Sequence, residues 1–406
     1  MTGGDLAVTG LGMVTPAGIG VDATWRGVCA GASTARTDPE LTDLPVTFSC
    51  RVPAFEPRRA VGRRSWQYDR FVQLALVAAR EAVADAGLDP VTWDGARVGV
   101  VMGCGLGGVA TWETQHKNLL GGGPLTVSAL LIPMLVPNMV AGQVGIALRA
   151  TGPNFVTASA CASGATAIGT ARALLHSGAC DVVITGGSEA GVSPLILTGF
   201  AQMTALSTRV DDPAAASRPF DADRDGFVLG EGSAVLVLER TTDARARGAR
   251  VRARLLGYGA SADAYHATAP EPDGRGVTQA IRTALTDADM TASDVDHVNA
   301  HGTSTPANDR TEATAIARTL GPRPAVTSTK GVIGHTLGAA GAIEAALTVL
   351  AVQHDAIPPT ANLERQDPEI TIDVVARAPR HAPVHVAISN SFGFGGQNAV
   401  LVFGKA

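Results

Sequence analysis

The sequence predicts an α/β layered fold built from two similar halves. Two observations carry this expectation. Strand-like apolar runs alternate with helical patterns along all 406 residues, the pattern of sheets with helices packed on them. In addition, a fragment near the middle, Gly226–Leu238, is echoed at the end by Gly393–Phe403. Each is a Gly-Phe turn feeding an identical Ala-Val-Leu-Val strand core.

The elements follow in order. Leu6–Thr9 reads as the first strand. Phe71–Ala86 carries apolar residues at helical spacing and stops at Gly87. Val98–Met102 is a second apolar run, and Ala165–His176 a small-residue helix. Val182–Thr185 and Ala234–Leu238 are strands. The polar stretch Thr241–Arg250 is the best seam, which divides the chain into residues 1–245 and 246–406. Beyond it lie the strand His297–Asn299, the helix Gly341–His354 and the strands Val384–Ser389 and Ala399–Phe403. In a duplicated chain, Cys161 and His335, each ahead of a small-residue helix, fall at equivalent helix starts.

Composition narrows the function. Hydrophobic residues make up 46% and charged residues 17%, the opposite of a disordered chain. The formal net charge is −5, whereas a nucleic-acid-binding domain is normally basic. Glycine is abundant but without a G-X-Y period, which excludes collagen. The five cysteines are Cys29, Cys50, Cys104, Cys161 and Cys180. With no CxxC pair and an odd count they suit a reducing compartment, so a cytoplasmic protein is expected. The opening Met1–Asp5 lacks a basic and an apolar region, so no signal peptide is expected. Asn118–Leu148 contains no charged residue, and Ala129–Leu148 has the length of a membrane span. Pro133 and Pro137 break it as a helix, so a buried or subunit-contacting segment is the better reading.

Four motifs carry the chemistry. Cys161 sits in a run of tiny residues, Thr157–Gly164, just before a helix, where unpaired N–H groups favour a thiolate. His301 follows a strand in Asn299–Pro306, with Asn308, Asp309 and Glu312 close behind. Lys330 and His335 lie in Thr327–Thr336. Lysine occurs at only three positions, which makes this interior one conspicuous; a nearby cation keeps an imidazole neutral and able to donate an N–H. Asn390–Gly396 sets Phe392 and Phe394 among glycines with free backbone donors. A strand follows it, so it is no dinucleotide fingerprint. Zinc is disfavoured: the HxxxH pairs lie in strand or loop patterns, where four residues span about 13 Å. A cysteine hydrolase needs fewer groups than these.

Taken together and in this order, Ala-Cys161-Ala-Ser-Gly, Asn-Ala-His301-Gly-Thr-Ser-Thr-Pro, Lys330-(x)4-His335-Thr-Leu-Gly-Ala-Ala-Gly and Asn-Ser-Phe-Gly-Phe-Gly-Gly resemble the β-ketoacyl-acyl-carrier-protein synthases, the elongating type II condensing enzymes of the thiolase superfamily. Ser217–Asp221 and Asp225–Val228 extend the match. The resemblance implies a thiolase-like fold of two similar halves in five α/β layers. It implies a decarboxylative Claisen condensation, with no cofactor beyond the phosphopantetheine arm of an acyl carrier protein. Cys161 would take the acyl chain, with the N–H groups of Cys161 and Phe394 as oxyanion hole. His301 and His335 would serve malonyl decarboxylation, with Lys330 acting on the His335 region. Glu312, with Asp309, would organise the loop near Lys330. Thr303 and Thr305 would hold the arm. Phe394, beside Phe392, would gate an acyl pocket that includes Leu106 and Phe200.

The resemblance also implies a dimer, which would account for Asn118–Leu148. The intact Cys161 is unlike chain-length factors, the non-catalytic partners of polyketide ketosynthases. Two histidines are unlike the starter-condensing relatives, and the last motif lacks the second cysteine of degradative thiolases. Pro124-Leu125-Thr126 and Trp66-Gln67-Tyr68 stand where basic residues for a fatty-acid carrier protein are expected. A dedicated polyketide carrier protein, and a heterodimer with a chain-length factor instead of a homodimer, are therefore the alternatives. A scaffold that kept its cysteine is the non-enzyme reading.

Overall fold

A computed structural model describes residues 5–406. Its frame is one 12-stranded sheet system in which the same five-strand pattern occurs twice. The first half comprises β1 (Leu6–Thr15), β2 (Val98–Gly103), β3 (Asn154–Thr157), β4 (Val182–Glu189) and β5 (Gly232–Arg240). The second comprises β6 (Ala253–Ala262), β7 (His297–Asn299), β8 (Ala325–Thr327), β9 (Val386–Gly393) and β10 (Gln397–Gly404). In the first half the order is β1-β5-β4-β2-β3, and in the second β6-β10-β9-β7-β8. In each, the first two neighbour pairs are antiparallel and the last two parallel. The halves join where β1 pairs antiparallel with β6.

The layering follows from side-chain alternation, because successive strand residues face opposite sides. Ala234, Leu236 and Leu238 of β5 face inward to one core, together with Ala399, Leu401 and Phe403 of β10. That inner core also holds the helices α2 (Ser163–His176) and α5 (Ala340–His354). Val235 and Val237 face outward onto α1 (Arg70–Asp85). Val400 and Val402 face outward onto α3 (Arg275–Asp287) and α4 (Pro306–Leu320). Helix, sheet, helix pair, sheet and helix make the five expected layers.

The central helices cross at their starts without room for side chains. A Cβ on Gly164 would lie 2.6 Å from the Ala342 nitrogen, and one on Gly341 2.8 Å from the Ala165 nitrogen. The contact is reciprocal, so Gly164 and Gly341 are equivalent. Ala160 and Leu337, at the matching distance before each helix, both adopt left-handed backbone, φ 50° and 49°. This register makes Gly338 the counterpart of Cys161. His335 lies three residues earlier, which corrects the expectation that the two reactive residues are equivalent.

The strands and helices expected from sequence are present, most of them longer than read, β1 by six residues, while the Val384–Ser389 run enters its strand only at Val386. Three of those missed (β3, β6 and α3) have polar or glycine-interrupted patterns. The seam Thr241–Arg250 contains a short helix, Thr241–Ala246. The uncharged segment is broken into separate helices, Leu131–Leu135 and Met139–Leu148. Val140, Val144 and Leu148 of the second pack into the outer core with α1, whereas Leu120, Leu125, Ile132 and Ile146 are exposed, Leu125 by 98%. The described helical stretch long and apolar enough to cross a membrane is Leu337–His354, and 89% of it is buried inside the protein as the inner-layer helix.

Candidate active site

Cys161, His301 and His335 meet in one cavity of about 360 Å³, which Thr303, Thr305, Phe392 and Phe394 also line. Cys161 comes from the first half, and both histidines from the second. Cys161 lies in a tight turn, Ala160–Ala162, that runs directly into α2. The left-handed Ala160 before it marks the turn as strained, and such strain persists only where surroundings enforce it. Here Gly393 enforces it: a Cβ there would lie 2.3 Å from the Ser159 carbonyl oxygen and 3.3 Å from the Cys161 nitrogen. The Asn390–Gly396 motif is thus pressed against the cysteine turn. The Phe394 N–H lies against the sulfur.

Burial dominates the thiol. Cys161 is 8% exposed, and its pKa is pushed up to about 12, with nearby Lys330 opposing. This corrects the expectation of a thiolate favoured by the helix start: desolvation outweighs the helix N-terminus at the buried sulfur. Since the raised pKa keeps the neutral form, iodoacetamide alkylation of Cys161 is expected to keep rising, about tenfold per pH unit, beyond pH 9. A plateau below pH 9 in the rate–pH profile would contradict it.

The histidines are neutral. Their rings stand 5.4 Å apart and nearly perpendicular. Burial holds both well below the usual histidine range, with the Lys330 charge adding to the effect. A neutral imidazole with one N–H aimed into the cavity donates to an oxygen that becomes negative.

Lys330 is buried and caged. Its Nζ donates to the His301 carbonyl oxygen at 2.6 Å and approaches His301 Nδ1 at 3.5 Å. It also pairs with Glu344. Its direct hydrogen bonds are thus with His301 and Glu344, while its charge reaches His335 as well, the region the resemblance implied. Glu344 was not singled out from the sequence, although it is the sole acidic residue in the apolar helix α5.

Glu312, on α4, accepts from the backbone N–H groups of His301 and Gly302 at 2.8 and 2.7 Å, and from Asn390 Nδ2 at 3.1 Å. Burial pushes its carboxyl up to about 7. Asp309 is farther from the chemistry. It accepts from the N–H groups of Phe220 and Ser304, both in left-handed backbone. Ser217 donates to the Lys330 carbonyl oxygen, so the Ser217–Asp221 motif braces the same loops.

Thr303 and Thr305 hydroxyls are 2.8 Å apart at the cavity wall. Phe200 lines the cavity, with its ring 6.3 Å from that of Phe394. Leu106 does not line it. It packs behind, in the apolar cluster that holds Cys161, Leu337 and Phe200.

Comparison with known proteins places the whole chain in a family. The family model for the beta-ketoacyl synthase N-terminal domain matches residues 4–244, and that for the C-terminal domain residues 252–364. The chain is 46% identical to a 3-oxoacyl-[acyl-carrier-protein] synthase 2 of Synechocystis sp., over 98% of both chains. Among solved structures, the ishigamide ketosynthase/chain length factor superposes with a TM-score of 0.93 at 34% identity, over 99% of each chain. A ketosynthase structure in complex with its type II polyketide acyl-carrier protein superposes with a TM-score of 0.90 at 31% identity, again over 99% of each chain.

Proposed function

Because the chain belongs to the β-ketoacyl synthase family of condensing acyltransferases, we propose that it extends acyl chains on an acyl carrier protein, with Cys161 as the acyl acceptor. The observation that carries this reading is the meeting of one thiol and two neutral imidazoles in a single buried cavity.

In the first step the Cys161 sulfur attacks the thioester carbonyl of an acyl carrier protein. The developing oxyanion is held by the N–H groups of Cys161 and Phe394. The carrier thiol leaves with the cysteine proton, and the acyl chain stays on Cys161. Malonyl carrier protein then enters, with its pantetheine arm against Thr303 and Thr305. His301 and His335 donate to its thioester carbonyl as carbon dioxide leaves and the enolate forms. The enolate carbon attacks the acyl carbonyl on Cys161, and the C–S bond breaks to release a β-ketoacyl thioester and the Cys161 thiolate, which takes up a proton from solvent to restore the thiol.

Lys330 and Glu312 are positioning residues for His301, one through its carbonyl and the other through its N–H. Asp309 holds the following turn. Phe394 and Phe392 screen the sulfur, and Phe200 and Leu106 shape the acyl chamber. No cofactor is needed, since the arm belongs to the substrate. We set the boundary between halves at residues 245 and 246, and the enzyme in the cytoplasm.

The partners follow from surface chemistry. Arg58, Arg59, Arg63 and Arg64 are exposed and without an ion-pair partner among the described residues, beside Trp66, which is 66% exposed. Such a patch suits an acidic carrier protein and steers its encounter. The exposed apolar face of Asn118–Leu148 suits a subunit interface, as a homodimer. A second reading, pairing with a chain-length factor, is favoured by the likeness to the ishigamide ketosynthase/chain length factor.

Intact-protein mass spectrometry with a panel of acyl carrier protein thioesters tests the reading. Wild type is expected to gain one acyl mass, mapped to Cys161 by digestion, and to lose it when malonyl carrier protein is added. No mass gain with any donor, alone or with a chain-length factor, would refute the acyl-enzyme.

A further inference from the structure

Glu189, at the end of β4, is fully buried. It has no role in the chemistry above, and no cation pairs with it among the described residues. Its carboxylate instead collects hydrogen bonds from two separate segments. From the first half it accepts from the backbone N–H groups of Gly105, Leu106 and Gly107 at 2.6, 3.2 and 3.3 Å, and from the Cys104 thiol at 3.3 Å. From the second half it accepts from the N–H of Gly338 at 3.2 Å.

The internal repeat gives this arrangement a meaning. Gly187 pairs with Ala234 in the first half as Ser391 pairs with Ala399 in the second. Counting two residues on, Glu189 stands where Gly393 stands. Gly338 stands where Cys161 stands, by the central-helix register. Gly393 and Cys161 bound the reacting centre; Glu189 and Gly338 bound its mirror position. There the N–H equivalent to that of Cys161 meets a carboxylate of the chain itself. The position that mirrors the reacting centre is thus occupied by a side chain of the protein.

This mirror position adjoins the reacting centre. The Leu106 and Leu337 side chains meet over Gly191: a Cβ there would lie 3.1 Å from Leu106 Cδ1 and 3.0 Å from Leu337 Cδ1. Both leucines belong to the apolar cluster with Cys161. Glu189 grips the backbone of the first and the residue after the second.

We propose that Glu189 is a positioning residue for acyl selection, pinning Leu337 in the wall of the acyl chamber and Leu106 as its backing. This rests on the reading of Cys161 as the acyl acceptor. The amide of glutamine would turn N–H donors toward the backbone N–H groups, so Glu189→Gln releases the Leu106 loop and lets the wall yield. The ratio of Cys161 acylation rates for long over short acyl carrier protein thioesters is then expected to rise about tenfold, the scale of one methylene of discrimination. Decarboxylation of malonyl carrier protein without an acyl donor is expected to change less than the ratio does.

Glu189→Gln is also to be combined with Leu106→Ala. If Glu189 acts through that leucine, it shifts the ratio little further once the leucine is trimmed. Should Glu189→Gln fail to fold, Gly105→Ala serves instead, since its Cβ would lie 2.9 Å from Glu189 Oε2 and press the loop away. An unchanged length profile in a folded variant would overturn the proposal, as would a uniform loss at every length. Wild type that takes no acyl group would instead sink the acyl-enzyme reading beneath it.

Discussion

Replacing Cys161 by alanine is expected to abolish chain extension, by about 10⁶-fold, the scale on which a covalent mechanism loses its nucleophile. The same variant should still release carbon dioxide from malonyl carrier protein, because the two imidazoles come from the other half of the chain. His301→Ala should show the reverse. Acyl transfer to Cys161 survives, since its oxyanion donors are backbone N–H groups of the cysteine turn and Phe394. Decarboxylation falls by about 10² to 10³, the cost of one donor to a developing oxyanion. Mass gain at Cys161 and trapped carbon dioxide read the two half-reactions separately. If Cys161→Ala also stopped decarboxylation, or His301→Ala also stopped acylation, this division of labour would be wrong.

The second large effect is on stability. Lys330 and Glu344 are each 1% exposed and paired. Lys330→Ala leaves a buried carboxylate without its cation and is expected to cost about 3–5 kcal/mol. The double replacement Lys330→Met, Glu344→Leu removes both charges and should recover much of that loss. It should not recover condensation, because the His301 carbonyl still lacks its Nζ donor. Chemical denaturation midpoints together with turnover separate the two consequences. A double variant as unstable as the single, or one with wild-type turnover, would contradict the account.

Much of the fold was legible because apolar runs with β-branched residues have few alternatives. His297–Asn299 was read to the residue, and the Ala-Val-Leu-Val echo exposed the repeat. What escaped was decided by packing. β6 carries Gly257 and Gly259, whose missing side chains weaken a strand pattern; the structure explains them, since a Cβ at either would strike an α3 carbonyl oxygen within 2.4 Å. In the site, the ordered motifs announced Cys161, His301, Lys330 and His335, and all four gather there. The sequence could not reveal which histidine Lys330 touches, because five residues of chain to His335 is a poorer guide than a sheet that brings His301 alongside. Nor could it weigh burial against a helix start at Cys161, since desolvation depends on what closes over the sulfur. Glu344 was the detectable omission: a single carboxylate in an apolar helix has to find a cation.

The glycine crossing of α2 and α5 limits how a substrate reaches the sulfur. The two central helices pack backbone to backbone at Gly164 and Gly341, and the halves share a strand pairing, so opening them like jaws would break both contacts. A chamber held shut in this way favours what is slender enough to be threaded in from outside. The bulky carrier must stay at the rim and deliver its cargo on a long, thin tether. The reach of that tether, and not any clamping by the enzyme, then sets which carbonyl arrives beside Cys161.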